Sequence, residues 1–193
     1  NQKPEEHPWF GLEQEYFMFD RETGVPLGFD EHGEQGQYYC SVGGNNAFGR
    51  NVAEDHLKAC LTAGIKISGI NAEVAPGQWE FQIGPLEGIE SCDQLWVARF
   101  ILIRLSEKYG YNISFHPKLF KTYNGSGCHT NFSTIETREK GGYYIIVESM
   151  PKFEKNHNKH MEVYGKFNDQ RLTGIHETAH INDFSWGVGF LTS

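Results

Sequence analysis

The sequence predicts an α+β domain with an antiparallel sheet, and three stretches carry that expectation. Residues 9–19 are rich in aromatic side chains and lack helical periodicity, which favours a strand. Residues 65–73 and 78–83 are also strand-like and flank the turn signal Pro76-Gly77, so the chain should double back there. Between Ser91 and Gly110, Leu95, Ala98, Leu102, Leu105 and Tyr109 recur at three-and-four spacing, the pattern of a helix.

The remaining elements follow in chain order. Residues 20–46 are dense in Gly, Asp and Glu and read as the least regular part of the chain. A helix should open at Asn51, with Glu54 as its capping partner, carry Val52, Cys60 and Ala63 among its apolar positions, and end at Gly64. The helix from Ser91 has Gln94 as a capping partner, and because Phe100, Ile101 and Ile103 are apolar too, burial on more than one face is expected. Residues 113–115 and 128–134 read as short strands. Residues 143–164 turn helical again, with Pro151 expected to start a second helix rather than sit inside the first. There is no internal repeat and no low-complexity segment.

A chain of 193 residues, 38% hydrophobic, suffices for one substantial core and is short for two, so a single domain is expected. The 17 Lys and Arg against 25 Asp and Glu give a net charge of −8, with no basic concentration of the kind nucleic-acid binding needs. Cys40, Cys60, Cys92 and Cys128 are scattered, which argues against a zinc knuckle and a disulfide-stapled secreted domain and favours a reducing, cytoplasmic setting. The most apolar run, residues 95–105, is broken by Arg99 and Arg104 and falls short of the roughly 20 residues a membrane span needs. Residues 1–7 lack the layout of a signal peptide and read as a linker.

The chemistry is carried by carboxylates. Side chains alternate along a strand, so Glu13 and Glu15 project from one face. Pairing outward from a two-residue turn at Pro76-Gly77 sets Glu73 directly opposite Glu80. Several ionised carboxylates held together in a partly dry site repel one another unless a cation lies between them, and a hard divalent cation suits oxygen ligands. The segment NGSGCHTNFS, residues 124–133, adds the imidazole of His129 on a strand entered through glycines, a candidate fifth ligand. The alternatives stay open at this stage: a solvated strand face for Glu13 and Glu15, a different turn at Pro76-Gly77, a hydrogen-bonded core histidine for His129. His157 and His160 read as a solvated helix face.

At these same residues the chain resembles the eukaryotic-type glutamine synthetase family. The matching runs are residues 7–16 (HPWFGLEQEY), 38–40, 47–50, 71–85 (NAEVAPGQWEFQIGP), 93–99, 124–133, 171–174 and 176–178, in the family's order and reaching to about residue 188. The resemblance implies a curved antiparallel sheet, part of a barrel, with flanking helices. It implies that Glu15, Glu73 and Glu80 hold one Mg or Mn ion and that Glu13 and His129 hold a second. Glu80, Phe81, Gln82, Ile83, Gly84 and Pro85, with Asn131, Phe132 and Ser133, correspond to ATP-binding segments. Asn124 and Gly125 correspond to a glutamate-binding turn, Arg171 to an arginine that holds substrate charge, and Glu177 to a flap glutamate that takes a proton from ammonium. Trp9 and Trp79 are read equally as core packing or nucleotide contacts.

The implied reaction is phosphoryl transfer from ATP to the side-chain carboxylate of L-glutamate, followed by attack of ammonia on the acyl phosphate, in a homo-oligomeric ring, expected to be a decamer. Relative to the family, residues 1–193 correspond to one partial catalytic domain, without the N-terminal β-grasp domain or the later part of the catalytic domain, so the second ion would lack a ligand and this polypeptide alone is expected to be inactive or nearly so. Residues 21–37 also differ in wording from family members. Two rival expectations are a structural relative that kept the fold and a ligase using another amine.

Overall fold

The computed structural model describes residues 3–29, 36, 38–176 and 178–188. Five strands, β1 (Trp9–Asp20), β2 (Ile67–Ala72), β3 (Gln78–Glu87), β4 (Tyr111–Ser114) and β5 (Cys128–Ser133), form one open sheet in which every pairing is antiparallel. The expected α+β antiparallel architecture is therefore present. β1 is the axis: β3 pairs along one of its edges, while β5 and β4 share the other, β5 against Trp9 to Gln14 and β4 against Phe17 to Asp20.

Two helices, α1 (Arg50–Thr62) and α2 (Glu90–Ser106), cover one face of the sheet. Alternation selects the residues that meet them. Leu12, Tyr16 and Met18 of β1 and Trp79, Phe81 and Ile83 of β3 pack with Val52, Ala53 and Cys60 of α1 and Leu95, Ala98 and Leu102 of α2. The intervening residues of β1 point the other way, where Phe17 and Phe19 join Phe29, Phe120 and Tyr123 in a second, aromatic cluster, and Glu13 and Glu15 continue along the same face.

The remaining helices are α3 (Ile135–Arg138), α4 (Gly142–Lys155), α5 (His157–Val163) and α6 (Asn168–Arg171). Gly142 is the one buried residue of α4. No helix among the described residues is long and apolar enough to cross a membrane.

Several local expectations are corrected. α1 opens at Arg50 behind Gly49, which adopts a left-handed conformation, so Asn51 lies within the helix and makes no cap. In α2, Ser91 is likewise internal and donates to the Gly88 carbonyl, and Gln94 instead spans Glu90 and the amide of Lys66. α2 is buried on one stripe only: Ser91, Leu95, Ala98, Leu102 and Ser106 are covered, whereas Trp96 is 66% and Phe100 63% exposed. A helix lying on a single sheet can bury only the positions that repeat every three or four residues. Pro151 sits inside α4, and the break falls at Asn156, whose side-chain amide caps the Lys152 carbonyl. His157 is half-buried and hydrogen-bonds the Ile181 carbonyl at 2.7 Å.

The hairpin register also differs. Ala72 pairs with Trp79 and Asn71 with Glu80, so the connection spans residues 73–77 rather than two residues. The Glu73 amide donates to the Gln78 carbonyl and the Ala75 amide to the Gln78 side chain, closing a longer loop. Gly77, at φ 66°, lies so close to the Leu27 carbonyl that a Cβ would meet it at 2.5 Å. Glu73 is thus displaced by two positions from its expected partner, Glu80, and a shift of two preserves the face on which both side chains lie.

Candidate active site

The face of the sheet opposite the helices is polar where β1, β3 and β5 meet. Across it run two adjacent rows: His129, Glu13 and Gln82 in one, and Glu15, Glu80 and Asn71 in the next. Glu73 enters from the hairpin loop. The register brings the carboxylates into two overlapping groups, Glu15–Glu73–Glu80 and Glu13–Glu80–His129, each offering ligand atoms within 4.8 Å of one another. All five side chains singled out in the sequence as metal ligands therefore converge, and Glu80 belongs to both groups.

Glu15, Glu73 and Glu80 are buried. Burial raises the Glu15 carboxyl to about 7, opposed by the Gly127 amide and assisted by the Glu80 charge. Burial again leads for Glu73, raised to about 8, with the charges of Glu15 and Glu80 adding to it. Glu80 is also raised, mainly by burial, with the Gln82 amide opposing. Groups of this kind favour their ionised form only when positive charge enters between them. The donor set of carboxylate oxygens with one imidazole matches the preference of Mg or Mn, so the residues present fit such an ion.

Neutral side chains hold these ligands in place. Glu13 accepts from the Asn131 amide at 2.7 Å and lies 3.6 Å from His129 Nδ1. Glu73 accepts from the Asn71 amide and from the Val74 backbone amide. Gln82 donates to both Glu80 and Asn71. Glu15 accepts from the Gly127 amide at 2.8 Å and from Gln78 at 3.3 Å.

Two clefts flank the cluster and meet at Glu13. The larger, about 1030 Å³, contains the carboxylates together with Asn124, Gly125, His129, Arg171, Tyr38, Tyr39 and Thr178. Arg171, at the end of α6, faces Glu15, whose charge opposes the lowering of its pKa by burial. The smaller, about 420 Å³, is walled by Trp9, Gln82, Ile83, Gly84, Pro85, Asn131, Phe132 and Ser133, which brings both predicted nucleotide segments to one place. Two residues of those segments are exceptions: Glu80 lines the larger cleft instead, and Phe81 is turned into the core against Tyr16 and His56. Trp9 stands at this cleft beneath the Arg138 guanidinium, whereas Trp79 is buried and donates to the Phe48 carbonyl. Glu177 lies outside the described residues.

Sequence reasoning passed over Gln78, Asn71, Gly127 and Lys118. Gln78 was findable, since alternation along β3 puts residues 78, 80 and 82 on one face. Lys118, buried beside the 124–127 turn with its ammonium on the Tyr123 carbonyl, had no local signal.

Comparison with known proteins bears on this arrangement. The family described as glutamine synthetase, catalytic domain, matches residues 2–144. A putative glutamine synthetase of Acanthamoeba polyphaga mimivirus is 59% identical over 185 residues, covering 95% of this chain and 52% of its own length. A glutamine synthetase of Suillus bovinus is 55% identical over 185 residues, with coverages of 94% and 52%. A glutamine synthetase cytosolic isozyme of Glycine max is 52% identical over 187 residues, covering 95% and 52%. The chain thus spans about half the length of the curated relatives it matches. Among solved structures, the cryo-EM structure of Plasmodium falciparum glutamine synthetase superposes with a TM-score of 0.68 at 16% identity, covering 88% of this chain and 40% of that one, which establishes a shared fold. On the extent and identity of these matches, the chain belongs to the glutamine synthetase catalytic-domain family.

Proposed function

We propose that the protein is a glutamate–ammonia ligase, joining ammonia to the side-chain carboxylate of L-glutamate through a γ-glutamyl phosphate formed with ATP. The observation that carries this reading is the set of buried carboxylates at the junction of two clefts, one bounded by Gly84, Pro85 and Ser133 and the other by Gly125 and Arg171. Phosphoryl transfer to a carboxylate brings two anions together, which demands positive charge and exclusion of water at one point.

Glu15, Glu73 and Glu80 would hold one Mg or Mn ion, and Glu13 and His129, with Glu80 adjacent, a second. Bound there, these ions supply charge neutralisation for the phosphate oxygens and the acceptor carboxylate. The chain's own residues do the rest. Residues 82–85 and 131–133 shape the cleft assigned to ATP, and the turn at Asn124 and Gly125 receives L-glutamate. Arg171 offers its guanidinium to substrate negative charge, and Glu177 accepts a proton from ammonium. Assembly as a homo-oligomeric ring, a decamer, and a cytoplasmic location belong to the same reading, the latter supported by the cytosolic soybean relative.

The test is phosphate release by the full-length protein, since residues 1–193 alone are expected to be nearly inactive, with ATP, L-glutamate, ammonium and Mg present together and omitted one at a time. Release that requires all four supports the proposal. Release that ignores ammonium, or that prefers another amine or acid, would overturn it.

A further inference from the structure

The turn at residues 124–127 consists of asparagine, glycine, serine and glycine, with little side-chain bulk to pack, yet Gly125, Ser126 and Gly127 are buried, Gly125 against Pro117 and Arg171 and Gly127 against Glu15. Something must fix it. The Gln78 side chain is 1% exposed and reaches three parts of the site at once. Its carboxamide oxygen accepts from the Ala75 amide at 3.1 Å, tying it to the loop that delivers Glu73. Its nitrogen donates to the Gly125 carbonyl at 2.9 Å and to Glu15 Oε2 at 3.3 Å, with Ser126 Oγ at 3.4 Å.

We propose that Gln78 is the positioning residue of the site, a buried amide that aligns Glu15 with Glu73 and fastens the glycine turn to both, so that the cation position and the substrate turn are built as one unit. The inference rests on the cation-site reading of Glu15, Glu73 and Glu80. The Gly127 amide and Gln78 both converge on Glu15 Oε2, an arrangement that reserves Oε1 for a cation. No apolar side chain of equal length can replace these contacts, because the Gly125 carbonyl and Ala75 amide would lose their partners in a dry setting. Outer hydrogen-bond partners of metal ligands commonly govern affinity by 10- to 100-fold, roughly the range expected here.

The experiment counts bound Mn²⁺ by electron paramagnetic resonance in the chain and in Gln78→Met, which keeps the length and removes the amide. The metal-free melting temperature serves as a control for folding. Mn²⁺ affinity at the Glu15–Glu73–Glu80 group should fall about 10-fold or more in Gln78→Met. Affinity at the group containing His129 should persist. Equal weakening at both groups in step with a lowered melting temperature would mark a merely structural role and overturn the inference, as would unchanged binding. Absence of Mn²⁺ binding in the unsubstituted chain would instead overturn the cation-site reading. Should Gln78→Met not fold, the side-chain NH₂ resonances of Gln78 in the unsubstituted chain decide the matter. Slow exchange and a shift on adding Mg²⁺ support the inference, and fast exchange without a shift refutes it.

Discussion

At the scale of single residues, the site is a balance between carboxylate repulsion and the ion that would relieve it. Glu73, raised to about 8, costs the folded chain stability once it must ionise. Glu73→Gln is therefore expected to stabilise the metal-free protein at pH 8 by on the order of 1–3 kcal/mol, read by urea unfolding, because the amide keeps the shape without the charge. The pH dependence has a definite sign. Glu15 and Glu73 bind protons more tightly folded than unfolded, so their stabilisation is complete below about pH 4.5 and is lost as pH rises through about 7 and 8. His56, whose burial lowers it to about 4, acts in the opposite sense between about 4 and 6.5. Above pH 6.5 the glutamates are thus left to dominate, and metal-free stability should decline from there toward pH 9, whereas added Mg²⁺ should remove the decline because it binds the ionised carboxylates. A third residue-level expectation concerns Gly125. A Cβ there would meet the Pro117 carbonyl at 2.6 Å and the Arg171 side chain at 2.7 Å. Gly125→Ala should therefore destabilise the chain by about 1–3 kcal/mol, measurable as a lower urea midpoint.

Elements show how much of this could be read in advance. The strand holding Glu13 and Glu15 was legible because alternation needs no long-range information, and the same rule placed Glu80 on the face it occupies. The partner of Glu80 was not. A Pro-Gly pair suggests a tight turn, but the loop also accommodates the Leu27 carbonyl and the Gln78 amide, contacts that no local pattern announces. The direct pairing of Glu15 with Glu80 depends on β1 lying beside β3, a choice between strands that the sequence leaves open. For α2, apolar content was mistaken for burial, since Phe100 and Ile103 lie on the side that no described element covers. Leu102→Ala should therefore cost about 2–5 kcal/mol, while Phe100→Ala should stay within about 0.5 kcal/mol in this chain, and thermal unfolding of the pair checks the one-sided packing of the helix.

On the scale of the whole molecule, the two sides of the sheet divide the labour. The helix side supplies the apolar core, with Tyr16, Trp79 and Phe81 at its centre, and thereby holds β1 and β3 in a fixed register. The opposite side inherits that register as an array of buried acids that the chain, with a net charge of −8, does not neutralise by itself. On the proposed reading, stability and function pull in different directions until a divalent cation binds, which would link metal binding to folding. The most direct measurement of that link is the thermal unfolding of the chain and of Glu73→Gln across a Mn²⁺ titration. The unsubstituted chain should gain stability with the logarithm of Mn²⁺ concentration, about 2.7 kcal/mol at 100 times the dissociation constant, and Glu73→Gln should gain far less. A flat response in the unsubstituted chain, or an equal gain in both, would contradict the assignment of Glu15, Glu73 and Glu80 to a cation.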